Sequence, residues 1–219
     1  MWVIKIGGSL ASDPRLPVCL QMLATLGGGR VTVVPGGGCF ADQVRRAQAH
    51  WHFDDLVAHN MAVLGMAQMA QMLHGIEPRL PLVDGEAGIR EALRSGRSAL
   101  WQPLSLLRQA PDELTSWDVS SDSLALWLAR RLNAERLVVL KACSVDPALG
   151  FEQLAEQGVL DRRFAGWARD AAFPIEVLSC SDIDAVRRRL VGGDAPAPGP
   201  APGQPLRRRW RRSARSAGC

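Results

Sequence analysis

Of the 26 basic residues in this 219-residue chain only two, Lys5 and Lys141, are lysines; the rest are arginines. Both stand at the ends of apolar runs, Trp2-Val3-Ile4-Lys5-Ile6 and Glu135-Arg136-Leu137-Val138-Val139-Leu140-Lys141. An ammonium is a compact charge that can turn toward an oxyanion, which a planar guanidinium does not mimic. An arginine-rich chain that keeps lysine at two strand ends therefore points to phosphate handling. Lys5 is followed at once by Gly7-Gly8-Ser9, where two glycines permit the backbone angles of an anion-binding turn. The segment reads as strand, phosphate loop and helix, with backbone N–H groups aimed at phosphate oxygens and Lys5 adding a full charge.

The same grammar recurs where Arg30-Val31-Thr32-Val33-Val34 runs into Pro35-Gly36-Gly37-Gly38 and then the helix-like stretch Cys39 to His50. Three successive glycines have no packing use in a strand or helix, so close backbone approach to a ligand is expected. Neither loop has the spacing of a dinucleotide fingerprint or a Walker loop, which disfavours a Rossmann dehydrogenase and a P-loop enzyme. A third cluster, Trp117-Asp118-Val119-Ser120-Ser121-Asp122-Ser123, precedes the helical run Leu124 to Leu132. On its own it reads as a helix N-cap, since serine and aspartate suit a first turn. After the second lysine come Ser144-Val145-Asp146-Pro147.

Taken in order, the K-x-GGS, PGGG, SSD-S-LA and VVLKA-x-x-VD segments resemble the amino acid kinase family, over about residues 1–190. The VLKAxxVD segment is most similar to the uridylate kinase branch. The resemblance implies an α/β three-layer sandwich with a central, mainly parallel sheet, ATP as phosphoryl donor and Mg2+ on the nucleotide phosphates. It implies that Lys5 and Lys141 hold the donor and transferring phosphates and that Asp122 orients them. Gly7, Gly8, Ser9, Ser144 and Asp146 then fall to the nucleotide and its phosphates. Gly36, Gly37, Gly38, His59, Asp118, Ser120 and Ser121 fall to the acceptor, and no side chain is assigned to a metal. Val145-Asp146-Pro147 departs from the VDGVY-like turn common in the family. The segments around His59-Asn60-Met61 and Ser120-Ser121-Asp122 also resemble the small phosphate kinases of methanofuran biosynthesis. That likeness implies a furanmethyl phosphate acceptor, converted to the diphosphate for one-carbon metabolism. A uridylate acceptor, another small acceptor, or a family member that binds nucleotide without transfer are the alternatives.

These residues need a scaffold, and 47% hydrophobic content supports one α/β core over residues 1–192. Strand-like runs near 2–6, 30–34, 98–101, 136–141 and 174–178 alternate with helical patterns near 15–26, 39–50, 54–74, 120–133, 161–171 and 181–190. That alternation predicts a parallel sheet covered on both faces, with ligands at the strand C-terminal ends. The stretch 54–74 carries Met61, Met66, Met69 and Met72 and is more apolar than one core-facing stripe needs, as a core helix or a subunit contact would be; the family resemblance, whose members often dimerise through helices in this region, implies a homodimer. Five cysteines without a CxxC pair, no signal peptide and no apolar run of about 20 residues point to a cytoplasmic protein that does not span a membrane. From residue 193 to 219 an Ala/Pro-rich linker and a tail with six arginines are expected to be disordered. Subtracting the +6 of the arginine tail from the net +4 leaves residues 1–206 at −2, so the basic pI belongs to the tail. Nucleic acid is therefore not an expected partner, except through that tail.

Overall fold

The computed structural model describes residues 1–192; the linker and arginine-rich tail expected at 193–219 lie outside the described residues. Six strands form one all-parallel sheet in the order β3-β4-β2-β1-β5-β6, where β1 is Trp2–Ile6, β2 Val31–Pro35, β3 Leu82–Val83, β4 Ala99–Trp101, β5 Arg136–Lys141 and β6 Ile175–Ser179. Helices α1 (Leu16–Leu26), α2 (Gly38–Trp51), α3 (Asp55–Ile76), α4 (Gly85–Arg94), α5 (Ser121–Arg131), α6 (Phe151–Glu156), α7 (Arg162–Ala168) and α8 (Ile183–Leu190) complete the fold. The central strands are buried along nearly their whole length, which is why they read as continuous apolar runs rather than as alternation.

Alternation survives in which face each residue serves. Val3, Val34, Leu137 and Val139 pack with α5 and α7 residues such as Leu124, Leu128 and Phe164. Ile4, Ile6, Val138 and Leu140 pack on the other face with Leu20 and Leu23 of α1 and Val186 of α8. The period of two then places Lys5 on the face of Val3, and Lys141 on that of Leu137 and Val139. Both lysines therefore face the layer that holds α5.

Three local expectations are corrected. The stretch after the first glycine loop is a 3₁₀ turn, Gly8–Ser12, and a full helix begins only at Leu16; Pro14 and Pro17 interrupt an earlier start. The edge strand β3 has two residues, too few to show a period, and α4 and α6 were hidden in charged, glycine-bearing sequence. The helix expected over 161–171 ends at Ala168.

Candidate active site

β1 is where the strand order turns: its chain successor β2 lies on one side and β5 on the other. Such a switch point opens a crevice beyond the strand C-termini. Lys5 pairs in register with Val139, two residues short of Lys141, so the two side chains rise from adjacent strands at slightly different heights. Between them stands Asp122, in the first turn of α5. Lys5 Nζ lies 2.7 Å from its Oδ1 and Lys141 Nζ 2.6 Å from its Oδ2. The Lys141 contact is an aligned hydrogen bond; Oδ1 accepts none among the described residues, so Lys5 holds it as an ion pair alone.

Lys5 and Asp122 are each 3% exposed. Burial pushes the Asp122 carboxyl upward, but the two ammonium groups more than offset this, and its pKa lies below the ordinary carboxylate value. Burial lowers the Lys141 pKa, the neighbouring Lys5 lowers it further, and Asp122 and Asp161 only partly compensate. The centre thus holds two cations for one fully buried carboxylate. An incoming phosphate would supply the missing negative charge.

The glycine loops lie against one another. A Cβ on Gly8 would stand 2.3 Å from Gly38 N, one on Gly36 would stand 2.4 Å from Gly8 N, and Gly38 has φ +54°. Beside the ligand approach expected of them, these glycines have a packing role: backbone meets backbone. Nor do all five amides face the cleft. Gly7 N–H donates to Leu140 O at 2.9 Å and Gly36 N–H to Ile6 O at 2.8 Å, both extending the sheet. Gly8, Gly37 and Gly38 stand at the entries of the 3₁₀ turn and α2, where backbone N–H groups lack a carbonyl from their own helix.

A cleft of about 1570 Å³ opens over this centre. Lys5, Asp122, Lys141, Gly8, Gly37 and Gly38 line it, with Ser9, His59, Asp118, Ser120 and Ser121 from the expected set. Ser144 and Asp146 do not: both are exposed, and Asp146 Oδ1 accepts from Ala148 N–H in its own turn. Some lining side chains are already engaged. The Ser120 hydroxyl donates to Asp161 and accepts the Asp122 N–H, which makes it a helix cap. His59 Nε2 meets Leu106 O at 3.0 Å, and since a carbonyl only accepts, that nitrogen carries the proton.

Trp117 and Asp161 are among the cleft residues that carried no assignment in the sequence. Trp117 is held by its Nε1–H to Gln48 Oε1, with the Arg45 guanidinium 4.4 Å from its ring centre. Asp161 caps α7 and reaches across to Ser120 and Ser123 of α5. The cap signal was legible in Asp161-Arg162-Arg163-Phe164, whereas its partners 38 and 41 residues earlier were not.

The sequence profile of the amino acid kinase family matches residues 1–144. A curated relative, the "[5-(aminomethyl)furan-3-yl]methyl phosphate kinase" of Methanocaldococcus jannaschii, is 25% identical over 140 residues, and the chain spans 64% of that relative's length and 64% of its own. Among solved structures, uridylate kinase from Archaeoglobus fulgidus is similar with a TM-score of 0.66 at 15% identity, covering 87% of this chain and 95% of that one. An isopentenyl phosphate kinase has a TM-score of 0.59 at 12% identity, covering 89% and 97%. At those identities the likeness is one of fold. The matched profile ends just past Lys141 and takes in both lysines and Asp122, and on that ground the chain belongs to the amino acid kinase family.

Proposed function

We propose that this phosphotransferase moves the γ-phosphoryl group of ATP onto an acceptor that is itself a phosphate, and that the acceptor is [5-(aminomethyl)furan-3-yl]methyl phosphate. The observation that carries the reading is the shared carboxylate, Asp122, holding Lys5 and Lys141 side by side at the floor of the cleft. In the transfer, an acceptor phosphate oxygen bonds to the γ-phosphorus while the bond to the β,γ-bridging oxygen breaks, and ADP leaves with that electron pair. Such a reaction asks for positioning and charge neutralisation rather than a covalent nucleophile. Lys5 and Lys141 meet the charge on the transferring group, and Asp122 holds both chains in place. Gly8, Gly37 and Gly38 offer amides at the rim. The acceptor phosphate loses its second proton near pH 6, so no general base is required.

Single drug-sized ligands occupy roughly 300–1,000 Å³, so a cleft of about 1570 Å³ has room for a nucleotide and a small acceptor together. Asp122 is committed to the lysines, and among the described residues no group of three or more His, Cys, Asp or Glu side chains could hold a metal ion. Magnesium would therefore enter on the nucleotide phosphates, largely water-bound, where it neutralises charge. The curated relative's name supports the furan acceptor, and the exposed stripe Val57, Met61 and Leu64 on α3 supports a homodimer. Among the described residues no helix is long and apolar enough to cross a membrane, which fits a cytoplasmic enzyme.

The test is transfer from magnesium-ATP to the aminomethylfuranmethyl phosphate, with UMP in parallel and Lys5→Ala and Lys141→Ala as controls. Turnover of the furan alone, lost in both variants, is the expected result. UMP turnover would place the enzyme among uridylate kinases, and nucleotide binding without transfer would make it a non-catalytic relative.

A further inference from the structure

Asp161 is half-buried at the head of α7, yet it accepts five hydrogen bonds, from Ser120 N and Oγ, Ser123 N and Oγ, and Phe164 N, at 2.5 to 3.0 Å. An N-cap needs only one of these, the bond from Phe164. The other four reach the first turn of α5 on either side of Asp122, and a fifth link joins Arg163 N–H to Asp118 O at 3.0 Å. Ser123 is fully buried and Asp122 nearly so. The turn that carries Asp122 is therefore set from outside by the carboxylate of Asp161.

We infer that Asp161 is the positioning residue of the phosphoryl-transfer centre, fixing Asp122, and through it both lysines, while tying them to the α6–α7 wall of the cleft. This rests on the kinase reading for its catalytic consequence but not for its geometry. The groups that face Lys141 are Lys5 from β1, Asp122 from α5 and Asp161 from the head of α7. Asp161 adds a more distant negative charge on the Lys141 side, which favours the charged form of Lys141. Removing that charge must lower the pH at which Lys141 loses its proton.

Because the chain has only two lysines, isotope-labelled lysine gives two side-chain signals, and Lys141 can be titrated by NMR without any turnover. The variants are Asp161→Asn and Asp161→Ser, both of which keep a side chain able to cap α7. The expected result is a Lys141 titration displaced to lower pH. The alkaline limb of kcat should move with it, and kcat should fall about 10–100-fold, the scale of outer-shell partners in charged sites, with KM for ATP changed less. A Lys141 titration that stays in place, with activity losses that follow only the melting temperature, would overturn the inference and leave Asp161 a helix cap. Should neither variant fold, Ser123→Ala keeps the charge and removes one link to α5. A fall in kcat at unchanged melting temperature then supports the inference, and an unchanged kcat overturns it. A displaced titration in a protein that turns over no acceptor would sink the proposed reaction and leave the positioning role standing.

Discussion

Gly8 and Gly38 touch through their backbones: a Cβ built on Gly8 would lie 2.3 Å from Gly38 N and 2.6 Å from its Cα. No real side chain tolerates that distance from a main chain locked between β2 and α2. Gly8→Ala must push the first phosphate loop off the second, and overpacking of this kind costs about 1–3 kcal/mol. The expected outcome is a lowered urea midpoint together with loss of most ATP binding. Wild-type affinity in a folded Gly8→Ala protein would show that the loops do not act as one unit.

Asp122→Asn removes the carboxylate that contacts both buried ammonium groups. Breaking a buried ion pair from one side costs about 3–5 kcal/mol, and the amide cannot hold both lysines as the carboxylate does. Chemical denaturation should show that loss near neutral pH. Its pH dependence follows from the depressed Asp122 pKa. The stabilisation is fully present above the unfolded value of about 3.9 and fades as pH falls through the folded one. Wild-type and variant stabilities should therefore converge in acid; a gap that stays constant to low pH would contradict the ion-pair account.

If Lys141 meets the transferring phosphate as proposed, its depressed pKa sets an alkaline limit on activity. Transfer needs the ammonium, so kcat should fall as pH rises through that lowered value, at a pH below the ordinary lysine value of about 10.4. Lys141→Arg stays charged throughout the alkaline range and should lose the limb while working more slowly, because a fork replaces a point charge. An unchanged limb in that variant would assign it to another group.

If α3 forms the dimer contact, Leu64→Arg should give a monomer. Leu64 is 45% exposed, with Val57 at 43% and Met61 at 36% one turn apart on the same side. Light scattering coupled to size exclusion distinguishes the two masses, and a variant that keeps the wild-type mass would move the interface elsewhere.

Deleting residues 193–219 removes six of the 26 basic residues and leaves every described residue that lines the cleft in place. Turnover should change less than twofold, about 0.4 kcal/mol at 25 °C. A large loss, read in the same coupled assay, would give the tail a part in the reaction.

Much of this protein was settled by its sequence alone. The two lysines, the glycine loops and the serine-rich turn before α5, which the fold brings to one cleft, were legible because those residue types serve local needs: a point charge at a strand end, a turn without side chains, a capped helix. Among the described residues five of six strands were legible, β1, β2, β4 and β5 because strands buried on both faces must be apolar nearly throughout; β3, with two residues, was too short to carry a pattern. Tertiary structure decided the rest, wherever the deciding partner lies far along the chain. That Gly7 and Gly36 spend their amides on the sheet depends on the register of β1 with its neighbours. That Ser120 is a cap bound to Asp161, that Ser144 and Asp146 stand outside the cleft, and that Asp161 governs the turn of Asp122 all depend on where α7 lands against α5. Local propensity carries no information about a contact made 40 residues away, so these pairings emerge only when the layers pack.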